Sequence, residues 1–363
     1  MREQVRLGII GTSWWSDLAI LPALSAHPQA AVVALCGRNR ERAEELAGRY
    51  GVSAVCTDYR EMYKLAGLDG VVVASPDDLH YPMTMDALAA GLHVLCEKPM
   101  ALTLADAQAM LARAEAAQVR HMVHFTWRAL PTLQYMKELI EEGYLGQPYQ
   151  CTFSFIGDYG RSGEYAWRFD QRRANGILGD LGAHMADFAL WLVGDIATVS
   201  AQLSSVIPRP GPENGILDPA NDVATVALRF VNGALGTIQV SAAAYLGDRG
   251  IQQQVVLHGA QGTLETEFTL DRGWELRGAR SGEPQIRVLP IPERIAGPLD
   301  ATQTPLGQFW HRAWTQSTGP RAFVDSILED RPSAPSFADG VKAQAIIEAA
   351  FRSAGTGGAA AVV

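Results

Sequence analysis

Val5-Arg6-Leu7-Gly8-Ile9-Ile10-Gly11-Thr12-Ser13-Trp14-Trp15-Ser16 joins a short apolar strand to a glycine turn and then to the start of a helix. In that context a glycine fingerprint has meaning, because a helix N-terminus offers free N–H groups and positive dipole to a pyrophosphate. With Gly11 as the first glycine of GxGxxG, Ser13 and Ser16 hold the second and third places, so the match is incomplete. Serine at the second place narrows the approach of backbone to phosphate. Gly11, Thr12, Ser13, Trp14 and Trp15 are therefore the candidate phosphate-loop residues, the two tryptophans more as packing that shapes the loop than as a stack on a ligand. A strand-turn-helix with no ligand is the competing reading.

Outward from this loop, apolar runs alternate with helical periods up to about residue 125. The runs are Val5 to Ile10, Ala31 to Leu35, Gly70 to Ala74, His93 to Cys96 and Val119 to Phe125, the βαβ rhythm of a parallel sheet. Between them lie amphipathic segments closed by Gly51 and by Gly91, and Thr103 with Asp106 resembles a capping box opening a helix to about Ala117. Beyond Trp127 the pattern changes. Tyr149, Cys151, Phe153 and Phe155 alternate with Gln150, Thr152 and Ser154, and Asn232-Gly233 sits between two strand-like runs as a hairpin turn. Ile207 to Pro219 reads as a long loop, Ala322 to Leu328 and Ser336 to Arg352 as helices, and the tail from Gly355 as frayed. The expected fold class is α/β, a doubly wound Rossmann domain over residues 1–127 followed by a substrate-binding and oligomerisation α+β domain over 128–363, with the C-terminal helix free to pack back on the first domain.

A chain of 363 residues suffices for two domains, each with its own core. The apolar share is 48%, charged residues make up 19%, and no apolar stretch approaches the ~18 residues of a membrane span. The N-terminus runs straight into a strand and lacks a signal peptide's apolar stretch, which makes the cytoplasm the expected compartment. Cys36, Cys56, Cys96 and Cys151 are scattered, without a CxxC pair, so neither a disulfide framework nor a structural zinc site is expected. A formal charge of −9 with no long basic run argues against nucleic acid as a partner.

At the end of the second strand, where an NAD site normally places an acidic residue for the ribose 2′-hydroxyl, the chain has Gly37. Arg38 and Arg40 follow at a helix start, where positive side chains oppose the macrodipole. An anion nearby would resolve that conflict. A solvated basic helix start is the alternative, but guanidinium groups suit a phosphate, and the expected cofactor is NADP, with Arg38 on its 2′-phosphate and NAD as the other option.

Two further patterns carry chemistry. Lys98, in His93-Val94-Leu95-Cys96-Glu97-Lys98-Pro99, stands where a buried strand gives way to a loop, at the sheet edge where ligands bind. Pro99 fixes the backbone behind its ammonium group. Most lysines after strands are surface charges, so this placement alone leaves both readings open. Asp180 and His184 lie at i and i+4 on one face of a helix expected to continue to about Leu192, with Gly176 and Gly179 ahead of them permitting close approach of a ligand. A structural histidine, or a plain ion-pair partner, is the alternative. No carboxylate cluster, HxxxH or HExxH accompanies the pair, and no metal is expected.

The ordered set of Gly11, Glu97-Lys98-Pro99 and Asp180-x-x-x-His184 resembles the Gfo/Idh/MocA family, that of glucose-fructose oxidoreductase and inositol dehydrogenase. Ser75-Pro76-Asp77-Asp78-Leu79-His80 is similar to the family's loop after the fourth strand, Arg128 with Pro131 to the entry into the second domain, and Phe323 to Ser353 to the closing stretch. Ser13 departs from the usual glycine. The resemblance implies a C-terminal domain with a large, mostly antiparallel sheet, a nicotinamide at the cleft between the domains, and homodimers or homotetramers formed through that sheet.

It also implies oxidoreduction of a secondary alcohol or ketone of a sugar, inositol or related polyol. His184 is then the base for the hydroxyl proton, Lys98 stabilises the developing alkoxide, and Asp180 orients His184 or holds a neighbouring hydroxyl, although Lys98 and His184 could exchange the acid/base role. Ser75, Pro76, His80 and Glu97 fall on the cofactor side, His80 either lining the nicotinamide or merely opening its helix. Tyr159, Trp167, Arg168 and Arg128 are the candidates for the sugar, their aromatic and guanidinium groups suiting a ring with hydroxyl or acidic substituents. A glycosidase or lyase with transient oxidation, and a dinucleotide-binding sensor without catalysis, are the competing functions.

Overall fold

The computed structural model describes residues 4–212, 215–297, 302–316 and 319–362. They form two compact units, one from the described residues up to Thr126 together with Trp310–Val341, the other from Trp127–Phe309 and the described residues from Lys342 onward.

In the first unit six parallel strands, β1 (Val5–Ile10), β2 (Ala30–Cys36), β3 (Ala54–Cys56), β4 (Gly70–Val73), β5 (His93–Glu97) and β6 (His121–His124), pair in the order β3-β2-β1-β4-β5-β6. The winding reverses between β1 and β4, and such a switch point opens a crevice at the carboxyl ends of the strands. The strand β3 escapes the sequence reading because three half-buried residues carry no period. Thr103 caps the helix Leu104–Ala117 by accepting from the Asp106 N–H at 3.1 Å, and Gly51 closes Arg40–Tyr50 at φ +69°. Phe323, Val324 and Ile327 of the helix Pro320–Leu328 are buried in one cluster with Val5, Leu7 and Ile9 of β1, so apolar burial ties this late segment to the first strand.

In the second unit, β7 (Pro148–Gly157), β8 (Ile196–Ser204), β9 (Val223–Phe230), β10 (Leu235–Ser241), β11 (Ile251–Gly259), β12 (Gly262–Thr269), β13 (Gly273–Arg280), β14 (Arg287–Val288) and β15 (Ala360–Ala361) form one sheet in the order β14-β13-β12-β11-β7-β10-β9-β8-β15. Among the described strands of this second sheet only the pairing of β7 with β10 is parallel. Cys151, Phe153 and Phe155 face inward, and the helix Gly182–Leu192, apolar nearly all round, packs on β7 and β10. The Asn232-Gly233 turn joins β9 to β10 as expected, with Gly233 at φ +89°. The tail is not frayed. Ala360 and Ala361 pair with Val199 and Thr198 of β8, and Arg352 donates to the Ala361 carbonyl at 2.7 Å, so a ladder and a guanidinium hold residues whose side chains alone would not.

Candidate active site

Glycine is required at position 11 by contact and by conformation. Its φ is +111°, and a Cβ there would stand 2.1 Å from the Ala74 carbonyl oxygen. The backbone of Gly11 donates to Cys36 and that of Ala74 to Ile10, so the turn is wedged between the ends of β2 and β4. Ser16, in the third fingerprint place, is buried and donates to the Gly11 carbonyl at 2.8 Å, whereas Ser13 in the second place is exposed. The following helix opens with a π-type turn, Ser16–Ile20, a widening that recurs at functional sites. Gly37 meets this loop from the side: a Cβ on it would stand 2.3 Å from Thr12 Oγ1.

The two arginines after β2 separate. Arg40 pairs with Glu44 one turn along its own helix at 2.8 Å, whereas Arg38 is exposed and has no partner among the described residues. A cradle that a Cβ would fill and an uncommitted guanidinium at the end of β2 together fit a dinucleotide phosphate.

Lys98, half-buried, is anchored on both sides, and the Lys98–Pro99 peptide is cis. On one side Glu97, the last residue of β5, is 6% exposed, and its Oε1 accepts from Trp15 Nε1 and from His124 Nδ1, each at 2.6 Å. Its Oε2 accepts from the Lys98 N–H at 3.2 Å. Burial would raise the Glu97 carboxyl, but His124, Lys98 and the indole N–H hold it below its ordinary value. On the other side the ring of His80, fully buried, sets Nδ1 2.8 Å from the Pro99 carbonyl and Nε2 2.9 Å from the Ser75 carbonyl. Glu97 and His80, placed on the cofactor side by the sequence, thus hold the loops after β4 and β5. Trp15 packs edge-on against Trp310, and Trp14 is 62% exposed.

In the second unit Asp180 gathers the polar side chains expected around a sugar. Tyr159 donates to its Oδ2 at 2.7 Å, Arg168 Nε approaches that oxygen at 3.4 Å, and the Arg168 guanidinium lies 4.5 Å over Trp167. Desolvation and then the Asp180 carboxylate raise the Tyr159 phenol well above its ordinary value. The helix is interrupted: Gly176–Asp180 ends, Leu181 intervenes, and Gly182–Leu192 begins. Leu181 keeps helical dihedrals, which preserves the i, i+4 relation of Asp180 to His184. His184 is 3% exposed and its ring lies 6.3 Å from Phe155.

Gly176 permits close approach of backbone, not of a ligand, since a Cβ there would stand 2.4 Å from the Asn221 carbonyl oxygen. Arg128 grips both oxygens of buried Asp187, at 2.7 and 2.5 Å, and covers Trp191. A guanidinium forked on a carboxylate pins the Thr126–Ala129 turn to the helix Gly182–Leu192.

The sequence reading passed over His124, Asp187 and the pair Arg209–Asp222. Arg209 lies in the Pro/Gly-rich loop, yet its side chain is 1% exposed, donating to Asp222 at 2.9 Å and to the Gly160 carbonyl at 2.5 Å. His124 carried one signal, its place at the end of β6 as Glu97 is at the end of β5.

Residues 5–125 match the oxidoreductase family with an NAD-binding Rossmann fold, GFO_IDH_MocA, and residues 133–265 match the GFO/IDH/MocA C-terminal domain. The chain is 30% identical to levoglucosan dehydrogenase of Pseudarthrobacter phenanthrenivorans, over 87% of this chain and 85% of that protein. It is 28% identical to D-apiose dehydrogenase of Rhizobium rhizogenes, over 90% of this chain and 89% of that protein. A solved levoglucosan dehydrogenase in complex with NADH and levoglucosan superposes with a TM-score of 0.87 at 26% identity, over 99% of each chain.

Proposed function

We propose that this chain, which belongs to the Gfo/Idh/MocA family of oxidoreductases, interconverts a secondary alcohol and a ketone on a sugar or related polyol. The observation that carries this reading is Lys98, anchored through Glu97 on one side and Pro99 on the other at the end of β5. Lys98 donates a hydrogen bond to the reacting oxygen and stabilises alkoxide with its fixed positive charge. His184 takes the hydroxyl proton in oxidation and returns it in reduction. Asp180, approached by Tyr159 and Arg168, holds a neighbouring hydroxyl, and Trp167 offers a face to the ring. The dinucleotide, held by the Gly11 turn and by Arg38, supplies the hydride acceptor or donor when bound. NADP is favoured over NAD because Gly37 brings no carboxylate to the ribose and Arg38 has no partner among the described residues. The levoglucosan dehydrogenase structure contains NADH, so both dinucleotides belong in the test.

Reduced-nicotinamide absorbance, followed with NADP and NAD against levoglucosan, D-apiose, glucose and inositol, checks the reaction. Net reduction with at least one sugar is expected, and silence with every sugar and both dinucleotides overturns the reading. Copies pair through the outward face of the nine-stranded sheet, where Thr152, Ser154, Thr225, Ala227, Thr237 and Gln239 present small or uncharged groups. Light scattering of Thr237→Arg should then show a smaller species than the wild type.

A further inference from the structure

The carboxylate of Glu97 has both of its oxygens engaged by protein donors. It joins Trp15, the last residue of the phosphate loop, to His124 at the end of β6 and to the backbone N–H of Lys98. Three pieces of chain far apart in sequence thus meet on one buried group, with Glu97 6% and His124 2% exposed. Two charge-assisted bonds of 2.6 Å in so dry a place are stiff. The network is also braced from outside. Gly319, at φ +52°, passes so close to His124 that a Cβ would stand 2.6 Å from Nε2, and Trp310 packs edge-on against the Trp15 ring at 5.3 Å. Trp314 Nε1 donates to the Leu18 carbonyl at 2.9 Å, fixing the same helix to the turn that follows the phosphate loop.

We propose that Trp15, Glu97 and His124 are positioning residues that transmit occupancy of the phosphate loop to the orientation of Lys98. This rests on the reading of Gly11 to Trp15 as a phosphate loop and of Lys98 as the alkoxide partner. A ligand that moves the Gly11–Trp15 turn moves the indole N–H, the carboxylate it bonds, and the peptide that carries Lys98. Lysine is thereby set for chemistry when the dinucleotide is seated. The bland function for such a network is packing alone, and the two differ in what the indole N–H does, as distinct from the indole ring.

The chain has four lysines, Lys64, Lys98, Lys137 and Lys342, so reductive methylation with 13C-formaldehyde gives a spectrum simple enough to follow Lys98, assigned with Lys98→Arg. ADP-ribose and its 2′-phosphate are the probes, since each carries the pyrophosphate but no nicotinamide to act on Lys98 directly. In the wild type, saturating probe should shift the Lys98 methyl resonance and leave Lys64 unmoved. In Trp15→Phe, which keeps a ring against Trp310 but lacks the N–H, the shift at saturation should fall at least severalfold. His124→Leu should behave like Trp15→Phe, while His124→Asn, which restores a donor near Nδ1, should recover most of the shift. His124→Leu and His124→Asn decide the matter alone should Trp15→Phe fail to fold. Shifts of equal size in all variants, or none in the wild type with probe bound, overturn the proposal. Failure of the phosphate-loop reading looks different, because neither probe then binds.

Discussion

His80 Nδ1 lies 2.8 Å from the carbonyl oxygen of Pro99, and its other ring nitrogen lies 2.9 Å from the carbonyl of Ser75. A neutral imidazole donates from one nitrogen only, so both contacts are satisfied together only by the imidazolium. Burial opposes that charge, but Cys96 and the two carbonyls prevail and raise His80 from 6.5 to about 9. The group is more basic folded than unfolded, so its stabilisation is complete below about pH 6.5 and is lost as pH rises towards 9. Thermal unfolding of the wild type should show a midpoint falling between these pH values, and His80→Gln should flatten the fall. Parallel curves would remove the imidazolium from the account.

Gly11→Ala and Gly91→Ala separate backbone strain from close packing. Both positions have positive φ, but only at Gly11 does a Cβ collide, 2.1 Å from Ala74 O, while nothing lies within 4 Å at Gly91. Strain alone costs about 1–3 kcal/mol at either site. Dinucleotide binding, measured by fluorescence titration, should be lost in Gly11→Ala and retained in Gly91→Ala.

Arg38→Ala should weaken NADP at least tenfold and leave NAD within about twofold, whereas Arg40→Ala should change neither, since Arg40 is engaged by Glu44. Equal losses for both dinucleotides in Arg38→Ala would dismiss the 2′-phosphate assignment.

Lys98→Ala and His184→Ala should each lower kcat by about 100-fold or more with dinucleotide affinity nearly unchanged, the range expected of a charge stabiliser and of a general base. Wild-type turnover in either variant would exclude that residue from the chemistry.

Arg209→Met should cost about 3–5 kcal/mol in urea unfolding, because it leaves the Asp222 carboxylate buried without its guanidinium. Arg209→Met with Asp222→Leu should recover part of that loss. Arg209 also holds the Gly160 carbonyl next to Tyr159, so the single variant should raise KM for the sugar more than it lowers kcat.

Five of the six strands in the first unit, though not β3 and not their order in the sheet, were legible because βαβ periodicity, capping at Thr103 and closure at Gly51 are local signals, each written in a few adjacent residues. Lys98 and the Asp180–His184 spacing were legible for the same reason. The interruption at Leu181 was not, since its dihedrals stay helical and its N–H still donates to the Ile177 carbonyl. Nor was the employment of Arg128, because a guanidinium near a domain entry reads alike whether it meets a substrate or Asp187, fifty-nine residues on.

By itself the sequence determined the longer strands of the first unit and the Asn232-Gly233 hairpin, and which residue types stand at strand ends where chemistry collects. Only tertiary structure decided which of those groups are already spoken for. Glu97 bonds Trp15 and His124, eighty-two and twenty-seven residues away, His80 bonds the Pro99 carbonyl nineteen residues on, and Arg209 is buried on Asp222 across a loop. The physical reason is that propensity and periodicity act over a few residues, whereas a buried charge or donor must find its partner wherever folding brings one within about 3 Å.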